Sequence, residues 1–442
     1  MSENSKYQES LDFLYSFIDY SLSKDLRYSP EKFNLDRMRH LMRLLGNPED
    51  DYKIIHVAGT KGKGSICAMV ASILTQAGYK TGFYSSPHMI DFTERIRIGS
   101  QLISHQQLVD YVEYLKPYIY QVDQITTFEI TTALAFKYFS DQKVNFAVVE
   151  VGLGGRFDAT NIVSPMISVI STISHDHTKI LGKTLAKIAF EKSGIIKQGI
   201  PVVISKQKKS ALDVIKKVSD DRGAQLIMAD KIYEIKSLSK NLEFQEFGIG
   251  YGKKNTIRIK TPLIGDHQLE NAITTFAVID TMRKRGIEIQ DRAIREGFEQ
   301  VKWPGRFEVL AKDPLVIIDG AHNPASMRYV AKTIQEYLPG KEITLVFGIS
   351  EDKDVTSMLK IIHPHIHHLI ITRSLHPRAM EVDRIKNIAD SIGINSFITQ
   401  SVEAAYQKAK SLAGKNSVII ATGSIFIAGA FREIYYKDVL AD

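Results

Sequence analysis

The sequence predicts an α/β protein of two domains. The N-terminal domain would hold a phosphate-binding (P-loop), mostly parallel sheet flanked by helices, and the smaller C-terminal domain would be a Rossmann-like α/β unit. Three observations predict this: 442 residues exceed what one hydrophobic core usually serves, apolar strand patterns alternate with helix patterns, and a glycine-rich turn joins the first strand to a helix. The segment V-K-W-P-G-R-F-E interrupts the alternation, so we expect domains at 1–300 and 301–442.

The composition excludes several classes of protein. Hydrophobic residues make 44% and charged residues 24%, which argues against long disorder, and no apolar run reaches the roughly 18 residues of a membrane span. The N-terminus lacks the basic and apolar regions of a signal peptide, and the single cysteine, Cys67, fits a reducing compartment, so we expect a cytoplasmic protein. We interpret Cys67 as a core residue rather than a reactive thiol.

The net charge of +7 permits either nucleic acid or a small polyanion as partner. Basic residues are scattered, and the densest cluster, 206–209, is typical of a solvated loop. We therefore expect a small-molecule substrate, with no nucleic acid and no membrane as partner.

The first elements lead to the glycine-rich turn. Residues 7–46 predict two amphipathic helices around the loop R-Y-S-P-E-K-F-N, residues 27–34. The stretch K-I-I-H-V-A-G-T-K-G-K-G-S, residues 53–65, then reads as a buried strand, a turn and the start of a helix. Its glycines let backbone N–H groups face a phosphate, Lys63 would reach phosphate oxygens, and Ser65 would meet a phosphate-bound magnesium ion. The alternative is an ordinary glycine-rich turn, because the spacing differs from the standard Walker A motif.

The alternation continues to residue 300. It predicts strands at 80–84, 144–152, 166–171 and 200–204, helices at 108–120, 128–139, 185–193 and 266–285, and short strand pieces across 226–264. Polar groups lie at the carboxyl ends of three of these strands: Ser85-Ser86, Glu150, and His175-Asp176-His177. Because parallel strands end at one edge of a sheet, these groups predict a shared site that suits magnesium, although each alone could be an ordinary buried polar residue.

The C-terminal unit is predicted in the same way. It has strand patterns at 315–318, 343–347, 368–372 and 418–421, and helix patterns near residues 325, 355, 383, 402 and 425. Asp319 follows a strand and would either contact a nucleotide or cap a helix, and Arg306 would bind phosphate or form an interdomain ion pair. Four histidines within 363–368 do not predict zinc, because alternate side chains point to opposite faces and no acidic partner is near.

These motifs together resemble one family. The chain resembles folylpolyglutamate synthase/dihydrofolate synthase, a branch of the Mur-type ATP-dependent amide ligases. The motifs that carry the resemblance are H-V-A-G-T-K-G-K-G-S (56–65), S-S-P-H with F-T-E-R-I (85–96), E-V-G-L-G-G-R-F-D-A-T-N (150–161), H-D-H-T-K-I-L-G (175–182), E-K-S-G-I-I-K (191–197), W-P-G-R-F-E (303–308), I-D-G-A-H-N-P (318–324), F-G-I-S-E-D-K-D (347–354) and A-T-G-S (421–424).

The resemblance implies roles for individual residues. The ATP contacts would be Gly62, Lys63, Gly64, Ser65, Asn271, Arg306 and Asp319. Two magnesium ions are expected, with Ser65, Ser86, Glu150 and His177 as ligands. The catalytic group would be Lys63, Lys192, His177 and Arg306, and the substrate contacts His88, Phe128, Arg156, Asp158 and His322. Lys192 matches the lysine that the family carries as a carbamate; the alternative is a surface lysine.

The implied reaction is ligation of L-glutamate to dihydropteroate or folate through an acyl phosphate, with ATP giving ADP and phosphate. Pro87-His88 and Gly154–Asn161 favour a bifunctional enzyme, and we expect a monomer. The alternatives are a folylpolyglutamate synthase without dihydrofolate synthase activity, a cell-wall Mur-type ligase, and a binding protein that closes on ATP without ligating. Lys61, where many bacterial relatives have Asn, and His175, where Leu is commoner, depart from the family pattern.

Overall fold

The computed structural model describes residues 3–18, 34–251 and 256–441. The predicted loop at 27–34 lies outside these residues except for Asn34. The described residues fold as two compact units: unit 1 comprises those within 1–236, 248–259 and 269–301, and unit 2 those within 237–247, 260–268 and 302–441. None of the helices in the described ranges is both long enough and apolar enough to cross a membrane.

The helices and strands follow in chain order. The helices are α1 (Glu3–Tyr15), α2 (Asp36–Leu44), α3 (Lys63–Gln76), α4 (His105–Ile119), α5 (Thr127–Asp141), α6 (Thr178–Leu181), α7 (Leu185–Ser193), α8 (Lys209–Asp221), α9 (Ala229–Ile232), α10 (Asp266–Lys284), α11 (Asp291–Glu299), α12 (Pro324–Tyr337), α13 (Val355–Ile362), α14 (Val382–Ser391), α15 (Val402–Leu412) and α16 (Ile425–Ala441). The strands are β1 (Lys53–Ala58), β2 (Thr81–Tyr84), β3 (Ile96–Ile98), β4 (Gln101–Leu102), β5 (Phe146–Glu150), β6 (Ile167–Ile170), β7 (Val202–Ile204), β8 (Leu226–Met228), β9 (Glu234–Lys240), β10 (Gln245–Gly250), β11 (Thr256–Thr261), β12 (Glu308–Lys312), β13 (Leu315–Ile318), β14 (Glu342–Phe347), β15 (His368–Ile371), β16 (Phe397–Ile398) and β17 (Ser417–Thr422).

The main sheet of unit 1 has, within the described residues, eight strands in the order β4-β3-β2-β5-β1-β6-β7-β8. The six neighbouring strands β2, β5, β1, β6, β7 and β8 pair in parallel. Strand β3 pairs antiparallel with β2, and β4 pairs antiparallel with β3 at the edge of the sheet. The predicted mostly parallel sheet is therefore confirmed. In a parallel sheet all strands end at the same edge, so β2, β5, β1 and β6 deliver their following loops to one place.

Helix α3 follows the central strand β1 and is buried on nearly all sides. Its residues Ile66 to Leu74 are buried except Ser72, which suits a helix enclosed within the fold rather than an amphipathic one. On its far side α11 approaches closely, since a Cβ on Gly297 would lie 2.5 Å from the Cα of Ile73. Cys67 is fully buried on α3, and burial raises the pKa of its thiol, so its interpretation as a core residue is confirmed.

Unit 2 contains a six-stranded sheet, in the described residues, with the order β12-β13-β17-β14-β15-β16. The strands are parallel except β12, which runs antiparallel to β13 at the edge. The predicted Rossmann-like alternation of strands and helices is present here.

Two short segments from before residue 301 also belong to unit 2. The side chain of Gln245 explains this membership: its amide donates to the carbonyl of Leu263 at 2.6 Å, and its oxygen accepts from the Tyr337 hydroxyl at 2.8 Å. Gln245 is 2% exposed, and these hydrogen bonds offset the unfavourable free energy of removing its amide from water.

Candidate active site

The glycine-rich turn forms a loop, residues 59–65 (the phosphate loop), between β1 and the first turn of α3. Gly59 has φ +144°, and a Cβ there would lie 1.8 Å from the hydroxyl oxygen of Ser171. Gly62 has φ +88°, and its Cβ would lie 2.1 Å from the side-chain oxygen of Asn271. Both positions therefore require glycine for space and for backbone conformation.

The phosphate loop presents the N-terminus of a 14-residue helix without a side-chain cap. The first N–H groups of a helix have no acceptor within the helix, and the helix dipole adds positive potential there. The first turn of α3 contains no acidic residue, while Lys63 and Ser65 lie in it. This combination suits an anion such as a phosphate group.

The loop that follows β6 holds the phosphate loop in place. The backbone N–H groups of Thr60 and Lys61 both donate to the carbonyl of Thr172 at 3.0 Å. The Thr60 hydroxyl donates to the carbonyl of Ser174 at 3.2 Å. These hydrogen bonds tie the phosphate loop to the segment that leads directly into His175-Asp176-His177.

Two lysine–carboxylate pairs lie at this edge of the sheet. The Lys63 ammonium is 3.7 Å from a carboxylate oxygen of Glu150, the last residue of β5. The Lys61 ammonium is 3.6 Å from a carboxylate oxygen of Asp176. All four side chains are largely buried, so their charges are weakly screened by solvent.

Lys192 lies beneath the phosphate loop on α7. Its residue is 5% exposed, and its ammonium donates to the carbonyl of Gly59 at 2.7 Å. Burial, with repulsion from Lys63 as a second cause, lowers the pKa of Lys192 to about 7. The alternative that Lys192 is an ordinary surface lysine is therefore wrong.

The predicted magnesium ligands occupy strand ends of the same sheet edge. Ser86 follows β2, Glu150 ends β5, Ser65 lies in α3 after β1, and His177 follows β6. His177 has a left-handed backbone, φ 47°, and its N–H donates to the Asp176 carboxylate at 3.0 Å. In the described part of the chain, no three or more His, Cys, Asp or Glu side chains are grouped to hold a metal.

Two predicted substrate residues lie near the carboxyl ends of β2 and β5. His88 accepts a hydrogen bond from the Arg95 guanidinium at 2.9 Å, so its Nδ1 is the unprotonated nitrogen. The ring of Phe128 packs against Gly152, where a Cβ would come within 2.5 Å of it. The glycine after β5 thus allows the aromatic ring to approach the backbone.

Two other predicted substrate residues have strong partners within the protein. Arg156 makes two hydrogen bonds to the Glu191 carboxylate, at 2.7 and 3.2 Å. Asp158 is buried, and its carboxylate accepts from the N–H of Leu153 at 2.8 Å and from the hydroxyl of Thr160 at 2.5 Å. Burial raises the pKa of Asp158. Both residues fix the loop after β5.

In unit 2, Asp319 organises the backbone around the predicted nucleotide contacts. Its two carboxylate oxygens accept from the N–H groups of Phe307 and Ala321, each at 2.8 Å. Phe307 has φ 47°, so Asp319 holds a strained backbone. The alternative that Asp319 caps a helix is wrong, because Asn323 is the N-cap of α12.

Arg306 precedes Phe307 and His322 follows Ala321, the two residues whose N–H groups bind the Asp319 carboxylate. The Arg306 guanidinium donates to the carbonyl of Gly305 at 2.9 Å and lies 5.8 Å from the centre of the Trp303 ring. A ring nitrogen of His322 lies 3.0 Å from the carbonyl of Gly320. Gly320 in turn donates its N–H to Gly305, which joins the two segments.

The structure also identifies residues to which the sequence assigned no role. His56 is fully buried in β1, and burial lowers its pKa to about 3, so its ring is neutral. Its Nε2 lies 2.8 Å from the Thr160 hydroxyl. Since that hydroxyl donates its proton to Asp158, His56 must be the donor to Thr160. A histidine in an otherwise apolar strand was the available signal in the sequence.

The comparisons with known proteins agree with this architecture. Residues 57–279 match the Mur ligase middle domain, and residues 305–425 match the Mur ligase glutamate ligase domain. The chain is 36% identical over 413 residues to dihydrofolate synthase/folylpolyglutamate synthase of Bacillus subtilis, covering 91% of this chain and 95% of that protein.

Solved structures are similar over nearly the whole chain. Folylpolyglutamate synthase of Thermotoga maritima superposes with a TM-score of 0.85 at 33% identity, covering 99% of this chain and 98% of the other. Folylpolyglutamate synthase of Mycobacterium tuberculosis, complexed with ADP and AMPPCP, superposes with a TM-score of 0.88 at 30% identity, covering 98% and 99%. The chain belongs to the folylpolyglutamate synthase/dihydrofolate synthase family of Mur-type ATP-dependent ligases.

Proposed function

We propose that this chain adds L-glutamate to dihydropteroate and to folates, including their polyglutamates, with ATP giving ADP and phosphate. The observation that carries the proposal is the uncapped N-terminus of α3, with Lys63 in its first turn and Glu150 at the end of the adjacent strand. The relative from Bacillus subtilis carries the names of both activities, which supports a bifunctional enzyme.

The chemistry follows from the charges around the phosphate loop. ATP would place its phosphates against the N–H groups of residues 62–65, with Lys63 compensating negative charge on the phosphoryl group that is transferred. The acceptor's carboxylate oxygen attacks the terminal phosphorus, and ADP leaves. The glutamate amine then attacks the acyl carbon, loses a proton, and expels phosphate to form the amide.

The side chains at the sheet edge fit magnesium. Glu150 is buried at the end of β5, and its carboxylate, 3.7 Å from the Lys63 ammonium, offers the oxygen ligands that Mg²⁺ prefers. Ser65, Ser86, Glu150 and His177 are the proposed ligands, and a set this small leaves positions for water and phosphate oxygens, as Mg²⁺ prefers. When bound, the ions neutralise charge on the phosphates.

Lys192 is the proposed site of a carbamate. Its amine must be neutral to attack carbon dioxide, and a pKa of about 7 leaves a large neutral fraction near physiological pH. The nitrogen bonds to the carbon of carbon dioxide and loses one proton, which turns a neutral side chain into an anion. That anion would help to hold the second magnesium ion.

The remaining contacts are proposed on the motifs. Asn271 is buried against Gly62, which places it beside the phosphate loop. Arg306 and Asp319 are proposed to contact ATP, and His88, Phe128, Arg156, Asp158 and His322 the other substrates. We further propose that the protein is a monomer that works in the cytoplasm.

Release of ADP and phosphate tests the proposal. We would measure it with dihydropteroate and then with tetrahydrofolate, each with and without L-glutamate. Glutamate-dependent release with both acceptors is expected. Release with tetrahydrofolate alone would identify a monofunctional folylpolyglutamate synthase, and no glutamate-dependent release with either acceptor would refute the proposal.

A further inference from the structure

Lys61 lies in the phosphate loop in a setting that resembles that of Lys63. Each ammonium group faces one carboxylate, at 3.6 Å for Lys61 and at 3.7 Å for Lys63. Each side chain is largely buried, with 15% exposure for Lys61 and 19% for Lys63. Lys61 is therefore a largely buried, ion-paired residue of the phosphate loop and not a solvated surface lysine.

The backbone of Lys61 is fixed before any ligand arrives. Its N–H and that of Thr60 both donate to the Thr172 carbonyl. Lys61 and Thr172 also form an isolated antiparallel β-bridge, which ties the phosphate loop to the loop after β6. Gly62, the next residue, begins the turn into α3. The Cα of Lys61 is therefore held in place immediately before Gly62, where the N–H groups at the start of α3 can bind an anion.

Asp176 is placed to serve two neighbours. One carboxylate oxygen faces Lys61, while the other accepts the N–H of His177 at 3.0 Å. Loss of the first contact would leave the second intact. The pair with Lys61 can therefore open without releasing the backbone of His177.

We propose that Lys61 is a second phosphate-binding cation of the loop, and that Asp176 is its counter-ion when no nucleotide is bound. The inference rests on the proposed function, because it requires that the loop binds ATP. A triphosphate carries more negative charge than one carboxylate, so the ammonium exchanges Asp176 for phosphate oxygens when the nucleotide enters.

The two partners should have opposite effects on nucleotide binding. Lys61→Ala removes a cation from the site and should weaken binding of ADP by about tenfold, the factor that corresponds to about 1.4 kcal/mol. Asp176→Asn removes the competing anion and should tighten binding by about fivefold. In the double variant the gain from Asp176→Asn should disappear, since no lysine remains to be released.

Calorimetric titration of the full chain with ADP in EDTA measures these effects without metal. Lys206→Ala is the matched control, because Lys206 is an exposed lysine outside the site and its loss changes the net charge equally. Thermal unfolding verifies that each variant is folded. Lys61→Met, which keeps most of the aliphatic stem, replaces the alanine variant if that variant does not fold.

Two results would overturn the inference. One is ADP binding by Lys61→Ala or Lys61→Met at the wild-type affinity. The other is weaker binding by Asp176→Asn, which would assign a purely structural role to the pair. If the wild type and Lys206→Ala also bind neither ADP nor ATP when magnesium is supplied, the proposed function itself fails, so the two failures are distinguishable.

Discussion

Single residues in the site take their chemistry from burial. Burial is the first cause that lowers the pKa of Lys192 to about 7 and that of His56 to about 3, so a large fraction of Lys192 and nearly all of His56 are neutral near physiological pH. Lys63 lies close enough to Lys192 to lower its pKa, but its own ammonium is paired with the Glu150 carboxylate. The two lysines thus differ: the Lys192 amine contacts the phosphate loop at the Gly59 carbonyl, whereas Lys63 lies in the loop and is paired with a carboxylate.

Loss of Lys63 should abolish turnover. Lys63→Ala removes the cation closest to the start of α3, and removal of one such group from a preorganised site typically costs at least about a hundredfold in rate. Glutamate-dependent ADP release measures the effect, and Lys206→Ala should retain the wild-type rate. A rate near normal for Lys63→Ala would mean that the phosphate site lies elsewhere.

The pH dependence of stability should identify Lys192 as a buried neutral amine. Its pKa falls from about 10.5 in the unfolded chain to about 7 in the folded one, so between these values only the unfolded chain binds the proton. Stability of the wild type therefore gains up to about 1.4 kcal/mol per pH unit from this group as pH rises through that window.

Lys192→Met removes this gain. Its free energy of unfolding relative to wild type should therefore decline as pH rises above about 7 and stay level below that value. Urea unfolding in buffers free of carbon dioxide measures both proteins without carbamate. A difference that does not change with pH would contradict a lowered pKa.

At the level of elements, the site depends on how one strand turns into one helix. The turn from β1 to α3 passes through Gly59 and Gly62, both with positive φ and both pressed against neighbouring side chains. The buried parallel strands were predictable because they read as apolar runs, and α7 matches its predicted bounds. The edge strands β3, β4, β12 and β16 were not predicted, because they are short or half-exposed and lack a clear pattern.

A pair of glycine substitutions should distinguish the effect of backbone strain from the effect of a steric clash with a neighbouring side chain. Gly62 and Gly78 both have φ +88°, but a Cβ at Gly62 would meet Asn271 at 2.1 Å, whereas nothing lies within 4 Å of one at Gly78. Both alanine variants should lose about 1 kcal/mol of stability to backbone strain. Only Gly62→Ala should also lose nucleotide binding, because the loop must move to relieve the contact.

Urea unfolding and ADP titration of the two variants provide the measurement. Equal ADP affinities for Gly62→Ala and Gly78→Ala would show that the close approach of Gly62 and Asn271 is not needed for the phosphate loop.

At the level of the whole molecule, the sequence predicted two α/β units but not their composition. A boundary near 301 misses residues 237–247 and 260–268, which belong to unit 2. The reason is a contact between distant residues: Gln245 bonds to Leu263 and Tyr337, and no local pattern announces it. The site shows the same limit, since motifs named Lys63, Glu150 and Lys192, whereas the pairing of Lys61 with Asp176 required the fold.

The most direct test of the ligase account follows one oxygen atom. The acceptor, dihydropteroate or tetrahydrofolate, would carry heavy oxygen at both positions of its reacting carboxylate, and mass spectrometry would follow the phosphate and the extended product after turnover with ATP and L-glutamate. We expect one labelled oxygen in each phosphate released, together with a product longer by one glutamate. Phosphate without label, or ADP release without any extended product, would contradict activation of the acceptor as an acyl phosphate.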